Sequence, residues 1–451
     1  MKKTISTLAG LLFLGSLASC AQAPQAHAAP DAEAAPQALS CPTGVPDTIR
    51  CLGGQDSAGA FYLIAIPKDW QAAHGTLVLH AHGGPFLGAP SIKRVEEDLQ
   101  RWSIVPRAGY AWAGSSFRQG GVAVRPAAED TERLRRIFLR HVAVPEMTIL
   151  HGQSWGASVA AQAAEMFDAA KPYDGVLLTS GVLAGGTKAY DFRLDLRVVY
   201  QALCHNHPRP DEPQYPLWRG LPEGNTMNAA ELERRVNECL ALNKPASERT
   251  PEQARRIATI VKVVQIPERS IQSHLGWATF HFQDIAEKRS GGGNVFGNIG
   301  AHYAGSDDDA ALNAQVLRYA ADPAAVARFG ADADLNGRIN APVLTVHAIH
   351  DPTAFVEMDH SFYETMARAG HTDTLVQTFT DDRDHSYLSD ASYVALLQAM
   401  EAWVREGRKP TTEGVAKACV AAQERFPSTC RFKPLYRPAA LETRVTARSR
   451  P

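Results

Sequence analysis

One stretch restricts the fold more than any other: Met147-Thr-Ile-Leu-His151, followed by Gly152-Gln-Ser-Trp-Gly156 and a run of small residues. Residues 147–151 are short and mostly apolar, the pattern of a buried strand. From Trp155 to about Ala169 the chain reads as a helix. A strand that bends directly into a helix needs small residues on both sides of the bend, and Gly152 and Gly156 flank Ser154 there. The pentapeptide alone says little, since a G-x-S-x-G arises by chance in roughly one chain of this length in seven at ordinary Gly and Ser usage. Its place between a strand and a helix gives it weight. The bland alternative for Ser154 is a helix N-cap.

The rest of the chain extends this pattern. Strands are expected at 59–67, 75–81, 111–114 and 175–179, with a helix over Glu129–Val142. The rhythm stops after about Gly186 and resumes with a strand at 341–347, a helix at Glu357–Ala369, a strand at 374–379 and a helix over 391–407. Such alternation implies an α/β fold with a mostly parallel central sheet and flanking helices. The expected organisation is a core at 41–186 and 338–407, a mainly helical lid or cap inserted at 187–337, and an extension at 408–451. Helical segments in the lid are expected at Ala229–Leu242, Pro251–Val264, Asp309–Tyr319 and Pro323–Phe329.

Acyl transfer needs a nucleophile, a base, an acid that orients the base, and donors for the oxyanion. Ser154 is the candidate nucleophile. Asp351 follows the strand at 341–347 and is the candidate acid, with Asp359 as the alternative. His385 lies after the last strand and is the candidate base; His360 and His371 read as surface positions. The amide N–H of Trp155 and that of Gly84 are the expected oxyanion donors, since Pro85 has none. Phe86 is the alternative to Gly84 and also a substrate contact. His82 is expected to brace this loop and His80 to sit in the core. Trp277, Phe280, His281 and Phe282 form an aromatic cluster in the lid. Trp277 and Phe280 either line an acyl pocket with Phe86 or simply pack.

The motifs at 82–85 (HGGP), 152–156 (GQSWG), 350–354 (HDPTA) and 384–388 (DHSYL), in this chain order, resemble the α/β-hydrolase superfamily of serine hydrolases. Secreted bacterial esterases and prolyl-oligopeptidase-like enzymes are the most similar groups. The resemblance covers roughly 60–186 and 338–407. It implies an α/β-hydrolase fold and two-step hydrolysis of a carboxylic ester, with no metal or organic cofactor. The alternatives are a small serine peptidase of prolyl-oligopeptidase or iminopeptidase type, and a non-enzymatic envelope binding protein on the same fold. One departure is Asp384 before His385, where many relatives have glycine. An adjacent carboxylate raises a histidine's pKa when it is close and poorly solvated.

The N-terminus reads as an export signal. Met1-Lys2-Lys3 precedes an apolar stretch too short to span a bilayer, and Leu17-Ala-Ser-Cys20 matches a lipoprotein box. Residues 1–20 are therefore read as a leader, Cys20 as the lipidated residue, and 21–40 as a disordered Ala/Pro/Gln-rich tether. Cleavage at Ala26-His-Ala28 is the competing reading. Six further cysteines suit an oxidising compartment. The local pairing Cys41–Cys51, Cys204–Cys239 and Cys419–Cys430 is favoured among 15 connectivities, with free thiols as the alternative. A net charge of −2 speaks against nucleic acid as a partner. The expected substrate is a small or oligomeric ester, and the membrane is met only through the anchor.

Four features are read as structural. Asp332, Asp334 and Asn336 start a calcium-loop pattern whose last position is Val343, so a polar turn is expected. Asp307–Asp309 suits a helix N-terminus. Gly291–Gly293 lacks the rest of a phosphate loop and reads as a mobile lid loop. His205 and His207 lack a second ligand pair.

Overall fold

The computed structural model describes residues 33–450. The leader, Cys20 and the competing cleavage site lie outside the described residues, as does most of the expected tether. The tether ends sooner than expected, because Gln37–Leu39 forms an edge strand, β1, paired antiparallel with β2 (Ile49–Gln55).

Seven further strands complete one sheet: β3 (Phe61–Pro67), β4 (Thr76–Ala81), β5 (Ala111–Ser115), β6 (Met147–Gln153), β7 (Gly175–Thr179), β8 (Val343–Ala348) and β9 (Leu375–Thr380). Their order is β1-β2-β3-β5-β4-β6-β7-β8-β9. Pairing is antiparallel from β1 to β5 and parallel from β5 to β9. Strands β4, β6, β7 and β8 are buried throughout, as parallel strands covered on both faces must be. Their side chains alternate between two cores. Leu77, Leu79, Leu150, Val176 and Leu178 face helices Val124–His141 and Trp155–Phe167. Val78, Ile149, Leu177, Leu344 and Val346 face Ile92–Arg101 and Asp390–Glu406.

Between β7 and β8 the chain is helical, and its apolar residues join the first of these cores rather than forming their own. Helices Ala229–Leu240, Pro251–Val264 and Pro323–Ala333 fall where the pattern placed them, and Asp309–Gln315 ends sooner than expected. Two helical segments are unexpected: Asp191–Cys204, and a run from Ile271 to Arg289 that includes two π-helical turns. The glycines at 291–293 end that run, with Gly291 and Gly292 at φ +74° and +86° and the Gly292 N–H donating to Ala286 O at 3.0 Å.

Disulfides join Cys41–Cys51, Cys204–Cys239 and Cys419–Cys430. The C-terminal extension has two structural jobs. The Asp381 N–H donates to Arg431 O and the Lys433 N–H to Phe379 O, both at 2.8 Å, which covers the open edge of β9. Further on, Arg448 reaches the lid and donates to Asp195 at 2.6 Å. Among the described residues no helix is long and apolar enough to cross a membrane.

The carboxylates of the calcium-like turn are used within the protein. Asp332 accepts the N–H groups of Val124 and Arg125, both at 3.1 Å, and Asp334 accepts the Thr187 N–H at 2.9 Å. Asp332 thus caps the helix that begins at Val124, five residues before the expected start. Asp308 caps its own helix by accepting the Ala311 N–H. His205 ends helix Asp191–Cys204, and His207 is buried against Thr279 at 3.0 Å. No group of three potential metal ligands occurs among the described residues.

Candidate active site

Ser154 sits where β6 becomes helix Trp155–Phe167. Its backbone has φ +57° and ψ −123°, a conformation a non-glycine residue seldom adopts, at a strain of ~1–3 kcal/mol. The surrounding packing enforces it. The Ser154 N–H donates to Thr179 O at 2.9 Å, and its carbonyl accepts from Val182 at 3.1 Å. The flanking glycines allow the close approach. A Cβ on Gly152 would lie 2.2 Å from Gly156 O, and one on Gly156 2.1 Å from Ala81 O.

The partners arrive from the ends of two later strands. His385 Nε2 lies 2.8 Å from Ser154 Oγ, and His385 Nδ1 lies 2.7 Å from Asp351 Oδ2. Asp351 follows β8. Its Oδ1 accepts the N–H groups of Thr353 at 2.7 Å and Ala354 at 3.0 Å, which fixes the carboxylate. The loop carrying His385 is tied to the turn at Ser154: Gln153 Nε2 donates to Ser386 Oγ at 2.8 Å, and the Tyr393 hydroxyl donates to Ser386 O at 2.7 Å. Asp384 is exposed, so the carboxylate seated on the His385 ring is Asp351.

A second histidine stands behind Asp351, and sequence reading missed it. His347 Nδ1 is 2.5 Å from Asp359 Oδ2, and its Nε2 is 2.9 Å from Ala354 O and 3.4 Å from Asp351 Oδ2. Burial alone would lower its pKa, but the charge of Asp359, with hydrogen bonding to Asp351 and Asp359, raises it to about 10. Burial alone would likewise raise Asp351. The charge of His385 and the hydrogen bonds from His347 and His385 prevail, and hold Asp351 well below the usual carboxylate range. Two candidate acids are therefore both present, one on His385 and the other on His347. The sequence signal was available: His347 and Asp351 lie four residues apart, across the end of β8.

His347 links stability to pH. Its folded pKa of about 10 exceeds the ordinary histidine value of about 6.5, so its contribution is full below about pH 6.5 and lost as pH rises through about 10. His347→Gln removes one member of a buried ion cluster and is expected to cost ~3–5 kcal/mol at pH 7. Urea unfolding at pH 7 and pH 10 checks this: the gap between wild type and variant should shrink markedly at the higher pH. An equal gap at both values would show His347 to be neutral.

The loop after β4 carries Gly84, the candidate oxyanion donor. His82 Nδ1 lies 3.0 Å from Gly83 O, Arg94 donates to the same carbonyl at 2.7 Å, and the His82 ring stacks on Phe117. Burial lowers the His82 pKa to about 3, so it braces the loop as a neutral ring. The N–H groups of Trp155 and Gly84 donate to no protein acceptor among the described residues. His80 lies in the core beside His151, 3.0 Å away.

Ser154 and His385 open onto a cavity of about 420 Å³. Gly84, Phe86, Trp155 and Trp277 line it, together with Tyr190, Arg193 and His281. Phe280 does not line it. The π-helical turn at 277–281 puts Trp277 and His281 on the cavity side, stacked 4.8 Å apart, while Phe280 packs against the core. His281 Nε2 donates to Pro85 O at 2.8 Å, and His274 Nε2 to Pro352 O at 2.8 Å. The helical run at 271–289 is thus tied both to the loop after β4 and to the loop that carries Asp351.

No protein-family model matches the chain. No curated protein matches it in sequence. Among solved structures it is similar to feruloyl esterase B from Aspergillus oryzae, with 14% identity, 83% of this chain and 86% of that chain covered, and a TM-score of 0.41. A fungal esterase from Rhizomucor miehei matches at 12% identity, over 81% of this chain and 87% of that one, with a TM-score of 0.41. A mutant of the rice cell wall degrading esterase LipA from Xanthomonas oryzae matches at 13% identity, over 78% and 92%, with a TM-score of 0.35. By its own strand order, the strand–turn–helix at Ser154 and the helical insertion before β8, the chain has the α/β-hydrolase fold.

Proposed function

We propose that the chain is an exported serine hydrolase that cleaves carboxylic esters, with Ser154 as nucleophile, His385 as base and Asp351 as the acid that orients it. The observation that carries this is the unbroken hydrogen-bonded series Asp351–His385–Ser154 at the floor of a cavity. His385 takes the Ser154 proton as Oγ attacks the acyl carbon. The N–H groups of Trp155 and Gly84 receive the developing oxyanion. The tetrahedral adduct collapses, the C–O bond to the alcohol breaks, and the alcohol leaves with the proton from His385. Water, deprotonated by His385, then attacks the acyl-enzyme and releases the acid and Ser154.

Export is supported by the leader-like N-terminus and three disulfides. An ester is favoured over an iminopeptidase substrate by charge. Arg94, Arg101 and Arg193 line the cavity and no Asp or Glu does among the described residues, so nothing there suits a substrate's ammonium group. A binding protein without activity would need none of the Ser154–His385–Asp351 alignment. A panel of p-nitrophenyl esters beside aminoacyl- and prolyl-p-nitroanilides tests the reading. Esters are expected to be cleaved at least ~100-fold faster in kcat/KM. Faster turnover of a prolyl anilide would make it a peptidase.

A further inference from the structure

Arg193 is an unusual residue for a cavity wall. It lies in the first turn of helix Asp191–Cys204, its residue is 3% exposed, and it lines the same cavity as Ser154. Its Nε and Nη1 are buried without a hydrogen-bond partner. No carboxylate lies within ion-pair distance of it among the described residues. The guanidinium instead rests among rings, 4.3 Å from the Trp277 centroid, 4.6 Å from Phe192 and 5.2 Å from Tyr190.

Buried charges are ordinarily paired, because a cation loses its hydration on entering the protein. The three rings stabilise the guanidinium in part but occupy none of its N–H donors. The other arginines of the cavity differ. Arg94 has a buried unpartnered Nε as well, but its Nη2 donates to Gly83 O at 2.7 Å and pairs with Asp98 at 3.3 Å, and Arg101 is exposed. Asp98 offsets Arg94 from behind the wall, and no carboxylate lines the cavity to offset Arg193 or Arg101.

We infer that Arg193 receives an anionic group of the substrate, so that the preferred ester carries a free carboxylate, its reacting carbonyl at Ser154 and its charge at the guanidinium. The planar fork of an arginine matches a carboxylate with two parallel hydrogen bonds. Trp277, stacked on His281, lies against the guanidinium, and no protein acceptor among the described residues takes its Nε or Nη1 hydrogens. Burial lowers the Arg193 pKa to about 10, against a small opposing effect of Tyr190, so the cation persists at neutral pH. The inference deepens the ester-hydrolase reading and takes its chemistry from it. The carboxylate can belong to the acyl or to the alcohol part, and the two arms below separate these sources.

Turnover is compared within two matched pairs: mono(p-nitrophenyl) adipate against its terminal amide, and p-carboxyphenyl butyrate against p-carbamoylphenyl butyrate. Wild type is expected to favour the charged member of one pair by ~100-fold in kcat/KM. Arg193→Gln should bring that ratio to within about threefold of one, and Arg193→Lys should retain part of it. A binding arm removes the dependence on catalysis. In Ser154→Ala, tryptophan fluorescence should report phenylbutyrate binding ~100-fold tighter than phenylbutyramide, and added Arg193→Gln should erase the difference. Equal handling of charged and neutral members in both arms by a protein with wild-type Arg193 overturns the inference, whether or not the variants fold. Ester cleavage without charge preference in either arm leaves the hydrolase reading standing alone. Selective phenylbutyrate binding without any ester turnover sustains the anion site and removes the hydrolase reading.

Discussion

Ser154→Ala is expected to lower kcat on a p-nitrophenyl ester by roughly 10⁴- to 10⁶-fold, with little change in KM. The hydroxyl is the one group at the head of the turn that can attack a carbonyl, and His385 Nε2 is placed 2.8 Å from it. The substitution leaves the packing of the turn intact, because the strained backbone is enforced by Thr179, Val182 and the two glycines rather than by the hydroxyl. Thermal unfolding should therefore stay near that of wild type. A fall of less than about tenfold in kcat would mean that another group performs the chemistry.

The second large effect separates the two acids. Asp351→Asn is expected to cost ~10⁴-fold in kcat, because an amide facing His385 Nδ1 stabilises the wrong tautomer and cannot balance the imidazolium. Asp359→Asn should act mainly on stability. It removes a carboxylate from His347 and is expected to cost ~3 kcal/mol of unfolding free energy, while activity per folded molecule stays within about tenfold of wild type. Steady-state kinetics normalised to active sites, beside urea unfolding, distinguishes the two. The opposite assignment, with Asp359→Asn inactive and Asp351→Asn active, would make Asp359 the orienting acid.

Much of this was legible in the chain because the governing patterns are local. The buried strand at 147–151, the two glycines and the small-residue helix announce the turn at Ser154 without any long-range information. The strands before Asp351 and His385 are apolar runs bounded by turn residues, so both candidate residues could be placed at strand ends. The misses have physical causes. Helix Asp191–Cys204 is buried on nearly every side, so it shows no amphipathic stripe. Strand Ile49–Gln55 carries two glycines and an arginine and is held antiparallel between β1 and β3, where pairing rather than propensity decides. The helix start at Val124 depends on Asp332, some two hundred residues away in sequence. Phe280 was grouped with Trp277 by type alone, and the π-helical turn decides which of them faces the cavity.

The lid is where sequence and site met least. Its helical periodicity was readable, yet its chemistry was not, since Arg193, Trp277, His281 and Tyr190 come together only in three dimensions. Its attachments explain why it counts as part of the site. His274 and His281 bind the loops of Asp351 and Gly84 through the Pro352 and Pro85 carbonyls, and burial lowers their pKa values to about 3 and about 4. Both rings are thus neutral in the working range, and the grip of the lid does not change with ordinary pH.

The most direct measurement of the central claim is covalent labelling with a fluorophosphonate, read by intact mass and by peptide mapping. The expected result is one adduct per chain, located on Ser154, absent in Ser154→Ala and strongly slowed in His385→Gln. A folded wild-type protein that takes up no label, or that is labelled on another residue, would contradict the assignment of Ser154 as the nucleophile.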